Sequence, residues 1–315
     1  MKKIALFFIT LFTITSIKAQ IGITSVAAPQ QKEQKPVFDS TKNFLGTTNV
    51  QSYVGQILFV KPTRLPEYGY DYFKPIDYNP QRLGYCSHYG RNAEKSHYNT
   101  RYEDLAEKYF KVDSIFEKDY FSYIFYLTNT KDTSDRCCFI YSSNYEHTFP
   151  FIVLSHFNYL KERYIGKNYI IQSNFLHSTD IITGDSIIIK DDSQLIWTTK
   201  DLTIINNKYK NFAFVVKSGN MTSYVDVDSF ERAFGADNRR CIYEKKEWDN
   251  LVKKYGLTMM KLVFDRKIKV GMPEKLLIYS WGKPEKINRS SYGPDQYVYG
   301  NQYVYVKDGK ITAWN

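Results

Sequence analysis

The sequence predicts a mainly β protein: tandem small β-barrel-like repeats followed by a small α/β module, a helix with antiparallel hairpins. Three observations carry this expectation. Tyr occurs 28 times and Phe 21 times in 315 residues, amid many β-branched residues, a composition suited to pleated, half-buried surfaces. Polar breaks fall every ten residues or so, as between short strands joined by turns. Near the C-terminus the apolar period first lengthens to that of a helix and then shortens to two.

At the N-terminus, Lys2-Lys3 precedes an apolar run from Ile4 to Ile14, and Lys18-Ala19-Gln20 follows. A charged start, a short apolar core and a small closing residue make residues 1–19 a signal peptide. The run is short for a membrane span; an uncleaved anchor is the alternative. After cleavage at Ala19 no transmembrane segment remains, so the chain is expected to be exported to the periplasm or outer cell envelope, or secreted. Residues 20–50, with the polar, Pro-bearing stretch Ala28–Pro36, are expected to form a disordered linker.

The formal charge is +10, and loss of Lys2, Lys3 and Lys18 leaves +7. Such a balance reads either as a dispersed basic surface or as attraction to anionic lipids or glycans. No dense Lys/Arg run occurs, and nucleic acid is not expected as a partner of an exported chain. Export permits disulfides among Cys86, Cys137, Cys138 and Cys241. Adjacent Cys137 and Cys138 point to opposite faces of a strand and should not bond each other. A bond from either to Cys86 or Cys241, and buried free thiols, both remain open.

The body reads as a duplication. Ser52-Tyr53-Val54-Gly55-Gln56-Ile57-Leu58-Phe59-Val60 matches Arg163-Tyr164-Ile165-Gly166-Lys167-Asn168-Tyr169-Ile170-Ile171. Phe121 to Leu127 resembles Phe212 to Lys217, and each is followed by a polar turn and a further strand, Cys138 to Tyr141 and Tyr224 to Val227. The expected copies are 51–160 and 161–235, the first longer by about 20 residues through a Tyr-rich insertion at 62–98. The pattern is reminiscent of small Src-homology-type barrels of bacterial envelope proteins. Residues 236–315 are assigned to a helical connector and the terminal module. In the connector Trp248, Leu251, Val252 and Tyr255 share one helix face, and Gly256 ends it.

In the terminal module, Pro273 suits a first helical position. Leu276, Leu277, Ile278 and Trp281 form an apolar face, and Gly282 with Pro284 stops the helix. Trp281 is expected to be largely buried. Tyr303, Tyr305 and Lys307 then alternate with Val304 and Val306. Asp308-Gly309 marks a tight hairpin, and Gly300-Asn301 a second turn, giving one helix on a three-stranded sheet. This order resembles the SmpA/OmlA (BamE-like) domain of small bacterial envelope proteins over roughly residues 265–315. The matching residues are Gly271, Met272, Trp281, Gly282, Pro284, Tyr297, Tyr299, Gly300, Tyr305, Asp308, Gly309 and Lys310. The resemblance implies an envelope address and a part in assembling outer-membrane proteins. No Cys lies near the end of the signal segment, so the lipid anchor common in that family is not expected.

Walker, dinucleotide-binding, His-Glu-x-x-His, Gly-x-Ser-x-Gly and Cys-x-x-Cys patterns are all missing from the sequence, and no cofactor is expected. Cys86-Ser87-His88 with His97 reads as a metal site or Cys–His nucleophile, or as a polar loop with incidental histidines. His147, His156 and His177 read as packed or surface residues. Asp226 and Asp228 would share one face of a strand, where a metal could bridge them, or mark a strand end, as Asp191-Asp192 marks a turn. No residue is assigned as catalytic or metal-ligating. Tyr68, Tyr70, Tyr72, Phe73 and Tyr78 are the candidate partner-binding residues, since rigid Tyr-rich loops make contact surfaces at low entropic cost; burial against the barrel is the alternative. The expected function is a non-catalytic binding or scaffolding role at the cell envelope, with an envelope protein or a cell-wall polymer as partner. The alternative is an envelope hydrolase with its site in the 62–98 insertion.

Overall fold

The computed structural model describes residues 36–78, 89, 99–234 and 240–315. Among these the chain is a strand-rich mixed fold of three antiparallel sheets, one curled into a half-barrel, with six α-helices.

The first sheet comprises β1 (Ile57–Val60), β2 (Phe73–Pro75), β3 (Tyr109–Asp119), β4 (Ser122–Asn129), β5 (Arg136–Ser142) and β6 (Phe151–Val153), with the single-turn α1 (Tyr102–Leu105) before β3. Its order is β2-β5-β4-β3-β1-β6. Helix α2 (Leu154–Tyr164) leads into the second sheet of β7 (Asn168–Ile171), β8 (Ile196–Ile204), β9 (Phe212–Ser218), β10 (Met221–Asp226) and β11 (Ile242–Glu244), with α3 (Val227–Phe234) before β11. Its order is β10-β9-β8-β7-β11. Then follow α4 (Lys245–Tyr255), α5 (Leu257–Phe264) and α6 (Glu274–Trp281), and a third sheet of β12 (Lys286–Asn288), β13 (Asp295–Tyr299), β14 (Gln302–Lys307) and β15 (Lys310–Trp314) in chain order.

With β2 set aside, the first two sheets share one strand order, and the likeness extends to single bonds. The Gly55 N–H donates to Val112 O at 2.8 Å, and the Gly166 N–H to Thr199 O at 2.9 Å. The Val112 N–H returns a bond to Gln56 O (2.9 Å) and the Thr199 N–H to Lys167 O (3.0 Å). A bulge follows at the same step, between Val112 and Ser114 and between Thr199 and Asp201. Gly55 and Gly166 have φ of 88° and 80°, a left-handed conformation that glycine adopts without strain. The next strands align differently from the sequence expectation. Val112 pairs with Leu127 and Thr199 with Val216, so Tyr123, not Phe121, holds the place of Phe212. The second sheet also runs past residue 235, because β11 closes it.

The expected disordered linker needs correction over its described part. Residues 36–50 are folded onto the first sheet, where Phe38, Phe44 and Leu45 pack against the core. The Asn43 side chain donates from Nδ2 to Phe151 O at 2.8 Å and accepts the Val153 N–H at Oδ1 at 2.8 Å, covering the outer edge of β6. The Tyr53 hydroxyl donates to Asn43 O and accepts the Leu45 N–H, both at 3.0 Å. The signal segment lies outside the described residues.

The first core is aromatic. Tyr53, Phe73, Phe125, Phe139, Tyr141 and Phe151 are fully enclosed, with Phe125 stacked on Tyr141 at 4.9 Å; such pairs add about 0.5–1.5 kcal/mol beyond their buried area. The second core gathers Tyr164, Tyr169, Trp197, Phe214 and Phe230. The third contains Trp248, Met260, Leu276, Leu277 and Tyr297, and also Ile170 of β7 and Tyr243 of β11, which project from the opposite face of the second sheet. Arg240 seals that junction. It is buried, donates from Nη2 to Glu247 Oε2 at 2.9 Å, and lies 5.8, 5.3 and 5.6 Å from the Phe234, Tyr243 and Tyr279 rings.

The terminal module has four strands where three are expected, because β12 adds beside β13. Pro273 is the cap, one residue ahead of the helix. Asp308 (φ 48°) and Gly309 (φ 68°) form the hairpin turn, the left-handed pair that suits strand twist. Leu276 and Leu277 are buried, whereas Trp281, expected in the core, is only half-buried. Its Nε1 donates to Arg266 O at 3.0 Å and its ring meets Tyr299 edge-on at 5.5 Å.

Candidate functional site

A cavity of about 1100 Å³ is walled by residues attached to both the first and second sheets. From the first come the loop after β1 (Lys61–Arg64), the Gly69–Tyr72 turn and the segment between β5 and β6, with His147 and Tyr145. From the second come the β8–β9 hairpin tip, Tyr209 to Phe212, and the β10–α3 junction from Asp226 to Arg232. Across the space the Arg64 guanidinium sits 5.8 Å from the Tyr209 ring.

The local chain explains why these side chains face inward. Gly69 is required in its turn: φ is 64°, and a Cβ there would lie 2.1 Å from Thr100 O. The turn pairs Tyr70 with Thr100 in an isolated bridge and directs the Tyr70 hydroxyl to Lys61 O at 2.9 Å. Of the five candidate partner-binding residues, Tyr70 and Tyr72 line this cavity and Tyr68, Phe73 and Tyr78 do not. Tyr70 is only 4% exposed and Phe73 is fully buried. Both are core rings of the first sheet, because β2 pairs with β5 and turns Phe73 inward beside Phe139. Their burial gives them a packing role in the first core; Tyr68 and Tyr72 are exposed, and Tyr78 is half-buried. Cys86, His88 and His97 lie outside the described residues.

His156 lines the cavity while only 4% exposed. Its Nδ1 lies 3.0 Å from the Ser40 carbonyl. A carbonyl only accepts, so Nδ1 carries the proton, and burial holds the ring's pKa below the usual histidine range. His147 is exposed beside Tyr145. His177 stacks on Tyr224 at 3.8 Å, and its Nε2 is 3.2 Å from Asp226 Oδ2. The hydrogen bond from His177 holds the Asp226 carboxyl below its ordinary pKa. The neighbouring Ser223 hydroxyl donates to the His177 carbonyl at 2.6 Å, so it is not set against the ring as a nucleophile.

Asp226 and Asp228 do not share a strand face: β10 ends at Asp226 and α3 begins at Val227. Asp191 and Asp192 are loop acceptors for the Ser173 and Gln194 N–H groups at 2.7 and 2.8 Å. Among the described residues no group of three or more His, Cys, Asp or Glu is arranged to hold a metal ion. Cys137 and Cys138 are buried free thiols and Cys241 is buried beside the Arg266 guanidinium, and burial raises the Cys138 pKa to about 11. In the Tyr297–Tyr305 hairpin neither strand has a free edge, since β12 covers β13 and β15 covers β14.

Sequence reasoning missed Arg64, Tyr145, Tyr209 and Lys210. The available signal was an aromatic ring inside the polar turn Asn206-Asn207-Lys208-Tyr209-Lys210-Asn211, where a buried role has little support. No known protein family, no curated protein and no solved structure matches this chain.

Proposed function

We propose that this chain is an exported, non-catalytic binding protein of the bacterial cell envelope, in which two copies of one five-stranded, barrel-like unit hold a partner between them. The observation that carries the reading is the cavity of about 1100 Å³ walled from both sheets. It is larger than the usual space of about 300–1,000 Å³ for a small ligand, and so suits a segment of a protein or polymer. Tyr72, Tyr145 and Tyr209 are exposed on its walls, and such rings serve as contact anchors at low entropic cost. The duplication is supported by the shared strand order, the paired glycine turns and the paired bulges. The envelope address is supported by the N-terminal segment and the resemblance of residues 265–315 to BamE-like domains. The partner is an envelope protein or a cell-wall polymer.

The test uses the purified mature chain, immobilised and offered isolated peptidoglycan and detergent-solubilised envelope protein in separate arms. Replacing Tyr72, Tyr145 and Tyr209 together by alanine should abolish capture while leaving the circular dichroism spectrum unchanged. Capture that survives the triple substitution removes the cavity from the binding surface. Cleavage of peptidoglycan or peptides that Cys86→Ala or His88→Ala abolishes would replace binding with hydrolysis.

A further inference from the structure

A second cavity of about 360 Å³ adjoins the first and is not used by the reading above. Its walls carry Phe59 and Tyr109 from the first sheet, Leu154 and Phe157 from α2, and Ile204 and Phe212 from the second sheet. Phe59 and Tyr109 pack at 4.9 Å, and Phe157 stacks on Phe212 at 6.2 Å. None of these six side chains is fully buried, so apolar surface remains open to water at a free-energy cost. Lys210 belongs to the walls of both cavities, together with Pro62, Ile152 and Phe212. Its Nζ donates to the Asn206 side-chain oxygen, a neutral partner that leaves the charge uncompensated. On the polar side Lys61, Arg64 and Arg232 stand with Asp71, Glu146, Asp226 and Asp228, and on the apolar wall Lys210 is the cation and Glu107 the acid.

We infer that this apolar cavity is a binding site for a single acyl chain whose anionic head group is held by Lys210. A space of this size, apolar with few polar groups to fix orientation, is typical of a small-ligand site. Its capacity suits one chain and not a bilayer or a folded surface. At its border the Lys210 ammonium, bonded to a neutral amide oxygen, presents the cation that an anionic head group would meet. The source is either a free carboxylate or a single-chain lipid with a phosphate head, which present the same chemistry to Lys210. The inference does not rest on the envelope reading, because it is measured on the purified full chain alone.

Titration calorimetry below the micelle concentrations provides the test, with octanoate, decanoate, decanoyl lysophosphatidylglycerol and decyltrimethylammonium as probes. Decanoate should bind with one-to-one stoichiometry, about tenfold tighter than octanoate, as two further buried methylenes require. The tighter of the two anionic decyl probes identifies the natural head group. Decyltrimethylammonium should bind at least about tenfold more weakly than decanoate, and Lys210→Gln should erase that difference. Ile204→Trp should fill the cavity and abolish binding. Leu154→Trp, from the opposite wall, does the same independently if the first variant fails to melt cooperatively. Absence of saturable binding, equal affinity for the cationic amphiphile, or indifference to both tryptophan variants overturns the inference. So does a concentration-dependent dimer that excludes decanoate, which would make a second copy the occupant.

Discussion

Replacing Asn43 by alanine measures how firmly residues 36–50 belong to the fold. The Asn43 carboxamide acts as one rung of a missing strand, bonding Phe151 O and the Val153 N–H at 2.8 Å each. Phe151 and Val153 are 1% and 0% exposed, and both backbone groups point away from β1, which pairs with the other side of β6. The substitution strips one donor and one acceptor of their partners. Each buried, unsatisfied group costs about 1–3 kcal/mol, and water reaches a sheet edge more readily than a core, so the expected loss is about 2–4 kcal/mol. Tyr53→Phe removes the hydroxyl that ties Asn43 O to the Leu45 N–H and should cost about 1–2 kcal/mol. The double variant should lose less than the sum, because both side chains fasten the same segment. Urea unfolding followed by circular dichroism and fluorescence reads all three. A loss below about 0.5 kcal/mol for Asn43→Ala, the range of ordinary surface changes, would refute the argument that this segment is structural.

Gly69→Ala should destabilise by more than the roughly 1–3 kcal/mol of left-handed strain alone, because its Cβ meets Thr100 O at 2.1 Å; a melting temperature within a degree of the wild type contradicts this. The lowered Asp226 pKa means that its stabilising contribution is full above the unfolded value near pH 4 and is lost as pH falls through the folded value. Asp226→Asn should therefore flatten the acid limb of stability below about pH 4, and an unchanged limb in acid titration would place the effect elsewhere. Trp281→Ala should cost about 1–3 kcal/mol, one hydrogen bond and part of a ring's burial, and a loss above about 4 kcal/mol in urea would mark it as a full core residue.

Legibility followed the strength of the local signal. The terminal helix, its glycine stop and the Asp308-Gly309 turn were readable because each depends on residues within one turn of chain. The same holds for the α4 face of Trp248 and Leu251. The pairing of Phe121 with Phe212 missed by two residues for a physical reason. A slip of two keeps every side chain on its own face, so alternation cannot detect it; only the Gly-anchored bonds and the bulges set the register. Tyr70 and Phe73 looked like contact rings because Gly, Pro and Asp around them resemble a loop. Their burial depends on Thr100 and Phe139, distant in sequence. The cavity between the sheets was not legible at all, since its walls come from segments far apart in the sequence. Asn43 gave no sign either: a lone amide in a polar stretch reads as linker until the strand edge it covers is known.

The second sheet has an interior on each side, with Tyr169 turned toward one and Ile170 and Tyr243 toward the other. This bears on the order in which the chain can fold as it leaves the ribosome. Every strand of the first sheet lies before residue 154, so that unit can complete itself while the rest is still being made. The second sheet is closed only by β11, and the helices that cover its reverse face follow directly behind. Its two interiors must therefore form late and together. Residues 161–315 should behave as one cooperative block in hydrogen exchange, with the slowest-exchanging amides of β7 and β11 protected equally whichever interior is probed.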